Sequence, residues 1–259
     1  MAAFKTVRIR EADFMFHVKH HWPQMLWFHV KPWKEKMGVQ PSLCPIVIEI
    51  RKVYDTFTDP MENLLQDPSK FDDKTLQKLR EVEHFLRKWN KNINLVSEQD
   101  EPTVWERHIV DSVQLMPFFK EVNKLADMGS GVGLPAVPLA IACPDIDVFA
   151  IEPRQKKAAL MAELIREIRI PNLHVLSERV EKVFLSHMDV VCCRAFGEFT
   201  RDARLAYKML KPGGLFMTFK TAEENNIPQG YDKVDNYPYH LPGNPRRYFI
   251  VIATKTGEM

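Results

Sequence analysis

The chain is short of cysteine, of single-sign charge and of unbroken apolar stretches. Its 259 residues include four cysteines, Cys44, Cys143 and the adjacent pair Cys192-Cys193. No Cys-x-x-Cys or Cys/His spacing occurs, so a zinc site is not expected. The pair sits in an apolar run, and reduced, buried thiols in a cytoplasmic protein are the expected state. No apolar run reaches the roughly 18 residues a membrane-spanning helix needs. Arg, Lys, His, Asp and Glu break up the first thirty residues, so no signal-peptide core is read there. Basic and acidic residues number 36 and 34, a net charge of +2. That average neither requires nor excludes a polyanionic partner, and any nucleic-acid surface must come from local patches.

What is present suits one catalytic domain with a smaller appendage: 45% apolar and 27% charged residues, ordinary for a globular protein. Three segments follow. Residues 1–60 mix Trp22, Trp27 and Trp33 with histidines and prolines without period, and are expected to be poorly ordered. Residues 61–123 read as a helical appendage. Asp72 or Asp73 can cap a helix through Leu76, Leu79, Val82, Phe85 and Leu86. A second helix fits 101–119, with Trp105, Ile109, Leu115 and Met116 buried, and Trp89 to Leu95 form the turn between the two.

From residue 124 to 259 strand and helix alternate. Strands are expected at Leu125–Met128, Val148–Ile151, Leu173–Leu176, Val190–Cys193, Leu215–Phe219 and Tyr248–Ala253, with helices at Pro135–Ala142, Gln155–Ile168 and Thr200–Leu210. This is an α/β pattern with a parallel sheet. Near the end two strand-like pieces, around Lys233 and Tyr248, are joined by a Pro/Gly loop. A terminal antiparallel hairpin distinguishes a Rossmann-like class I methyltransferase sheet from a dinucleotide dehydrogenase.

The run Asp127-Met128-Gly129-Ser130-Gly131-Val132-Gly133-Leu134-Pro135 follows a strand and opens a helix. Glycines there let the backbone turn tightly and approach a ligand. Glu152 ends the next strand, where a carboxylate can accept from ribose hydroxyls. The spacing is Gly-x-Gly-x-Gly, not the pyrophosphate fingerprint, and Asp127 repels phosphate while attracting a sulfonium and an ammonium group. The pattern favours S-adenosylmethionine over a dinucleotide. Leu210-Lys211-Pro212-Gly213-Gly214 reads as a helix stop before a strand, habitual in such methyltransferases.

With these residues the chain resembles the RsmG (GidB) family over about Leu79 to Ala253. The matching stretches are Trp89-Asn90-Lys91 through Asn94-Leu95, Arg107-His108, Asp111-Ser112 and Asp127 to Pro135. They continue with Glu152, Arg154-Gln155-Lys156-Lys157, Arg179-Val180-Glu181, Arg194-Ala195-Phe196 and Lys220. Ala136 departs from the family's usual glycine, mildly in steric terms, and Pro153 is a second departure. The resemblance implies methyl transfer from S-adenosylmethionine to N7 of a guanine in 16S ribosomal RNA, on naked RNA or a small ribosomal subunit particle, by a monomer. It implies Asp127, Gly129, Ser130, Gly131, Gly133, Leu134, Glu152, Val180, Glu181 and Arg194 as cofactor-binding residues, and Arg194, Arg107 and Lys220 as those working on the substrate.

Guanine N7 already carries an in-plane lone pair, so alignment matters more than a general base. Phe196 is read either as a base-stacking ring or as core, and His108 either as functional or as a buried histidine bonded to the first helix. Trp89, Asn90 and Asn94 are read as structural. Arg154, Lys156 and Lys157, and likewise Arg246-Arg247, are phosphate-contact candidates or solvated surface. A noncatalytic RNA- or cofactor-binding module, or a methyltransferase for another RNA, a small molecule or a protein, are the alternatives. Intact Asp127, Gly129, Gly131, Glu152 and Arg194 weigh against the first, and the Trp-Asn and Arg-His elements against a small-molecule or protein acceptor.

A short repeat remains: Phe16-His17-Val18-Lys19 and Phe28-His29-Val30-Lys31. Its spacing fits no metal-ligand set. The codons TTT CAC GTG AAA, preceded by Met or Trp codons ending in G and followed by codons starting with C, permit the palindrome GTTTCACGTGAAAC in both copies. It resembles a chromosome-partition site, which would make the peptide repeat a by-product of a DNA element. Met61 is a natural start for the family, so residues 1–60 are expected to be dispensable.

Overall fold

The computed structural model describes residues 5–7, 14–18, 28–32, 71–90 and 101–257. Contacts divide the chain into two units, Met1–Ile50 and Arg51–Met259. In the first, β1 (Lys5–Val7), β2 (Phe14–Val18) and β3 (Phe28–Pro32) form an antiparallel sheet in that order. The two repeat copies pair with each other, with Phe16 opposite Val30 and His17 opposite His29. Regular strands were not expected here, because each is at most five residues long, too short for a period of two to stand out. The rest of residues 1–60 lies outside the described residues.

In the second unit, α1 spans Asp73–Asn90. Asp72 caps it: its Oδ1 accepts from the Thr75 amide at 2.8 Å. That bond holds the Asp72 carboxyl below its ordinary range. Leu79, Val82, Phe85 and Leu86 form the buried stripe. The expected single helix over 101–119 is instead broken. A 3₁₀ turn at Glu101–Thr103 precedes a π-helical turn at Trp105–Val110, which runs into α2 (Asp111–Val113) and a second 3₁₀ turn at Met116–Phe118. Pro117 cannot donate to a continuing helix and stands at the start of the last turn. Side chains also take up backbone carbonyls: Ser112 Oγ donates to His108 O and Gln114 Nε2 to Val110 O. Trp105, Ile109 and Leu115 are buried as expected, and Met116 is half-buried.

The remainder is a seven-stranded sheet. Its strands are β4 (Lys124–Met128), β5 (Asp147–Ile151), β6 (Leu173–Leu176), β7 (Met188–Arg194), β8 (Leu210–Lys220), β9 (Tyr231–His240) and β10 (Arg247–Lys255). They lie in the order β6-β5-β4-β7-β8-β10-β9. The first five are parallel, and β10 pairs antiparallel with both β8 and β9. The expected terminal hairpin is therefore present. The helices are α3 (Ala136–Ala142), α4 (Gln155–Ile168) and α5 (Phe199–Met209). One core joins α1, residues 104–115, α3 and α4 to the sheet; a second joins α5 to it. The Lys-Pro-Gly-Gly segment is not a free turn. It is a bulge inside β8: Leu210 pairs with Met188 and Leu215 with Val190. Gly213 there takes φ +71.

Candidate active site

The carboxyl ends of β4, β5, β7 and β8 place Met128, Ile151, Arg194 and Lys220 along one edge, beside the reversal of strand order between β4 and β7. Ligands bind at that edge in open sheets of this kind.

The glycine loop wraps the end of β5. The amides of Gly129 and Ser130 both donate to Ile151 O at 2.9 Å. Three glycines take left-handed φ, and two are also crowded. A Cβ on Gly129 would lie 2.3 Å from the Phe196 ring, and one on Gly133 2.3 Å from Val137 Cγ2. Gly131, at φ +63, faces open space. Glu152 accepts from the Gly131 amide at 2.9 Å through Oε2 and from the Arg154 amide at 2.8 Å through Oε1. Its remaining lone pairs are available to hydroxyls. Val180 opens a 3₁₀ turn after β6 and is buried with Met128 and Ile151, whereas Glu181 is exposed. Leu134 is half-buried.

Asp127 is 0% exposed. Its Oδ2 accepts from Ser130 Oγ at 2.5 Å and from the Ala136 amide at 3.3 Å, and Oδ1 has no hydrogen-bond partner. Burial pushes its carboxyl up to about 6, against the opposing Ser130 bond. A buried carboxylate with an unmatched oxygen suits a cationic ligand. Ala136, the departure from the family pattern, is fully buried at the head of α3, so its methyl fits.

Arg194 is bound into the appendage. Its Nη1 donates to Arg107 O at 3.0 Å and to Asp111 Oδ2 at 3.2 Å, and its Nη2 lies 2.7 Å from His108 Nδ1. Arginine has only donors, so His108 accepts there and its ring is neutral. The histidine is thus buried, with Arg194 at the end of β7 on its Nδ1. Tyr239 Oη donates to Asp111 Oδ1 at 2.6 Å. Burial raises the Asp111 carboxyl, while Arg194 and Tyr239 oppose it; burial beside Asp111 in turn drives the Tyr239 phenol up. Arg107 Nη1 donates to Tyr248 Oη at 2.7 Å, and Arg246 lies 5.7 Å from the same ring. Asp111, Tyr239 and Tyr248 escaped the reading of the sequence as site residues. Asp111 stands in the matched Asp-Ser element, but no local signal marks the two tyrosines.

Phe196 is half-buried and packs on the glycine loop. Trp89 packs 6.0 Å from Phe85, in its structural role. Asn94 lies outside the described residues. Arg154, Lys156, Arg246 and Arg247 are exposed. Lys220 Nζ points to Gly197 O at 3.4 Å and to Glu224 at 3.9 Å. Among the described residues no group of three His, Cys, Asp or Glu is placed to hold a metal, and no helix is long and apolar enough to cross a membrane. Cys143, Cys192 and Cys193 are free thiols.

This strand order, with its glycine loop and two acidic strand ends, defines a Rossmann-like S-adenosylmethionine-dependent methyltransferase. The chain belongs to the GidB family, rRNA small subunit methyltransferase G, which matches residues 75–235. Its relatives include the ribosomal RNA small subunit methyltransferase G of Aromatoleum aromaticum, 36% identical over 64% of this chain and 84% of that one. That of Neisseria meningitidis is 33% identical over 66% and 84%. Among solved structures, a SAM-dependent methyltransferase from Aquifex aeolicus aligns with a TM-score of 0.46 at 16% identity, covering 61% of this chain and 96% of that one.

Proposed function

We propose that the protein transfers a methyl group from S-adenosylmethionine to N7 of a guanine in 16S ribosomal RNA. The observation that carries the cofactor half is Asp127: a fully buried carboxylate with one unmatched oxygen, beside an open glycine at the ligand edge. The family match supports the ribosomal RNA half.

Asp127 would face the cationic methionine end, Glu152 the ribose hydroxyls, and Gly129, Ser130, Gly131, Gly133 and Leu134 the backbone floor. Val180 and Glu181 would border the adenine. When bound, the cofactor supplies an electrophilic methyl on a cationic sulfur. The chain's task is then to hold N7 in line with that methyl, which proximity and orientation alone can accelerate greatly. Phe196, seated on Gly129, offers a face for the purine as positive charge develops on it. Arg194 anchors the segment between β7 and α5 that carries Phe196, through Asp111, His108 and the Arg107 carbonyl. Arg107, Arg246 and Arg247 stand at the same edge for phosphates. A cytoplasmic monomer acting on RNA or on the small ribosomal particle completes this reading.

The test is transfer of labelled methyl to 16S rRNA from a strain lacking the gene, followed by digestion and nucleoside analysis. Label in 7-methylguanosine from one loop is the expected result. Cofactor binding without label in naked RNA or in the particle would remove the acceptor assignment.

A further inference from the structure

The turn Arg194–Gly197 links β7 to α5 and carries the ring that lies on the glycine loop. Ala195 within it takes φ +49. A side chain in the left-handed region is strained, and such strain persists only where the surroundings over-determine it. At one end the turn is held by the Arg194 guanidinium on Asp111 and His108. The other end of the turn, Gly197, lies between two charged groups.

The first is Asp202, in the first turn of α5. It is 2% exposed, and its Oδ1 has no hydrogen-bond partner. A Cβ on Gly197 would lie 2.8 Å from that Oδ1 and 3.4 Å from Oδ2. Gly197 does not take a positive φ. A side chain there would crowd the carboxylate and Arg201 Nη1, 3.1 Å from the same Cβ, so the glycine backbone lies close against both. Oδ2 lies 4.0 Å from the weak donor Cys193 Sγ. Burial raises the Asp202 carboxyl, while Arg201, Lys220 and the Gly197 amide oppose this. The second group is Lys220, whose ammonium donates to Gly197 O at 3.4 Å. Its pairing with Glu224 and its place 6.0 Å from the Phe199 ring keep it turned into the protein.

We infer that Asp202 and Lys220 are positioning residues that seat Gly197 between them, and so hold Phe196 and Arg194 where the methyl transfer is aligned. This replaces the expected substrate contact of Lys220 with an indirect one, and it rests on the methyl-transfer reading of this edge.

The experiment uses the full chain with 16S rRNA, comparing Gly197→Ala, Asp202→Ala, their combination, Lys220→Met and Lys220→Arg. Turnover and the KM for RNA are measured separately. Gly197→Ala should lower kcat on the order of 100-fold, the scale of a misplacement of about 1 Å. The same change should cost much less in the Asp202→Ala background, since contacting residues are non-additive. Lys220→Met should lower kcat with the RNA KM held within about twofold, and Lys220→Arg should recover most of the loss. A raised RNA KM with unchanged kcat in Lys220→Met would mean direct RNA contact and overturn the inference. So would an equal Gly197→Ala loss with and without Asp202. Asp202→Asn replaces the alanine variant if that fails to fold. If the parent chain binds cofactor but labels no RNA, the acceptor assignment has failed, and the coupling is read from melting temperatures instead. Gly197→Ala should then destabilise the parent and spare the Asp202→Ala chain; equal losses overturn the seat.

Discussion

Asp127 is a carboxylate removed from water, with one oxygen matched and one not. Its folded value of about 6 lies above the ordinary 3.8. The folded state therefore binds a proton more readily than the unfolded chain between about pH 4 and 6, and stability from this group rises as pH falls across that window. At about 1.4 kcal/mol for each pH unit, the cost above pH 6 is on the order of 3 kcal/mol. A cationic cofactor favours the ionised form, so its affinity should increase as pH rises from 5 to 7. Calorimetric titration of the cofactor across that range should show the slope, and Asp127→Asn should flatten it. A pH-independent affinity in the parent would contradict the assigned role.

At the scale of elements, a polar network links the helical appendage to the sheet beside their shared core: Arg194 from β7, Asp111 from α2 and Tyr239 from β9. Breaking a part-buried pair from one side leaves a charge without its partner. Asp111→Ala should destabilise by about 3 kcal/mol, and Tyr239→Phe, which removes one bond to a charged acceptor, by about 1–2 kcal/mol. Urea unfolding measures both. An Asp111→Ala loss no larger than that of Tyr239→Phe would mean that the network does not carry the docking. The π-helical turn at Trp105–Val110 belongs to the same account, since it precedes Asp111 and presents His108 and the Arg107 carbonyl to one guanidinium. The strands were readable because each buried run is local, and Leu173–Leu176 and Gln155–Ile168 match the sequence reading to the residue. The helix over 101–119 was misread because apolar spacing does not register where side chains and a proline take over the backbone.

For the whole molecule, the catalytic sheet and its appendage share continuous cores within Arg51–Met259, while Met1–Ile50 is a separate unit with its own small sheet. We propose that the first sixty residues are dispensable for methylation. A chain starting at Met61 should label 16S rRNA at the rate of the full chain, and loss of labelling would refute this. The pairing of the two Phe-His-Val-Lys copies across β2 and β3 does not bear on their codons. Sequencing the gene does: two copies of the palindrome are expected, and other codons would end the idea of a DNA element.

Sequence alone was enough for whatever depends on near neighbours. The alternation of apolar runs located the parallel strands, the glycine spacing with Asp127 and Glu152 marked the loop at the end of β4, and the family's motifs supplied the acceptor to test. The glycine loop and its two carboxylates lie within one strand–turn–helix–strand unit, so periodicity and backbone freedom suffice to read them. The side-chain partners required the folded chain. Asp111 meets Tyr239 across 128 residues and Arg107 meets Tyr248 across 141, because sheet order brings β9 and β10 beside the appendage. The turn at Gly197 likewise rests on a carboxylate whose burial no local pattern announces. That Arg194 is bound into the fold is decided by the distances that topology imposes.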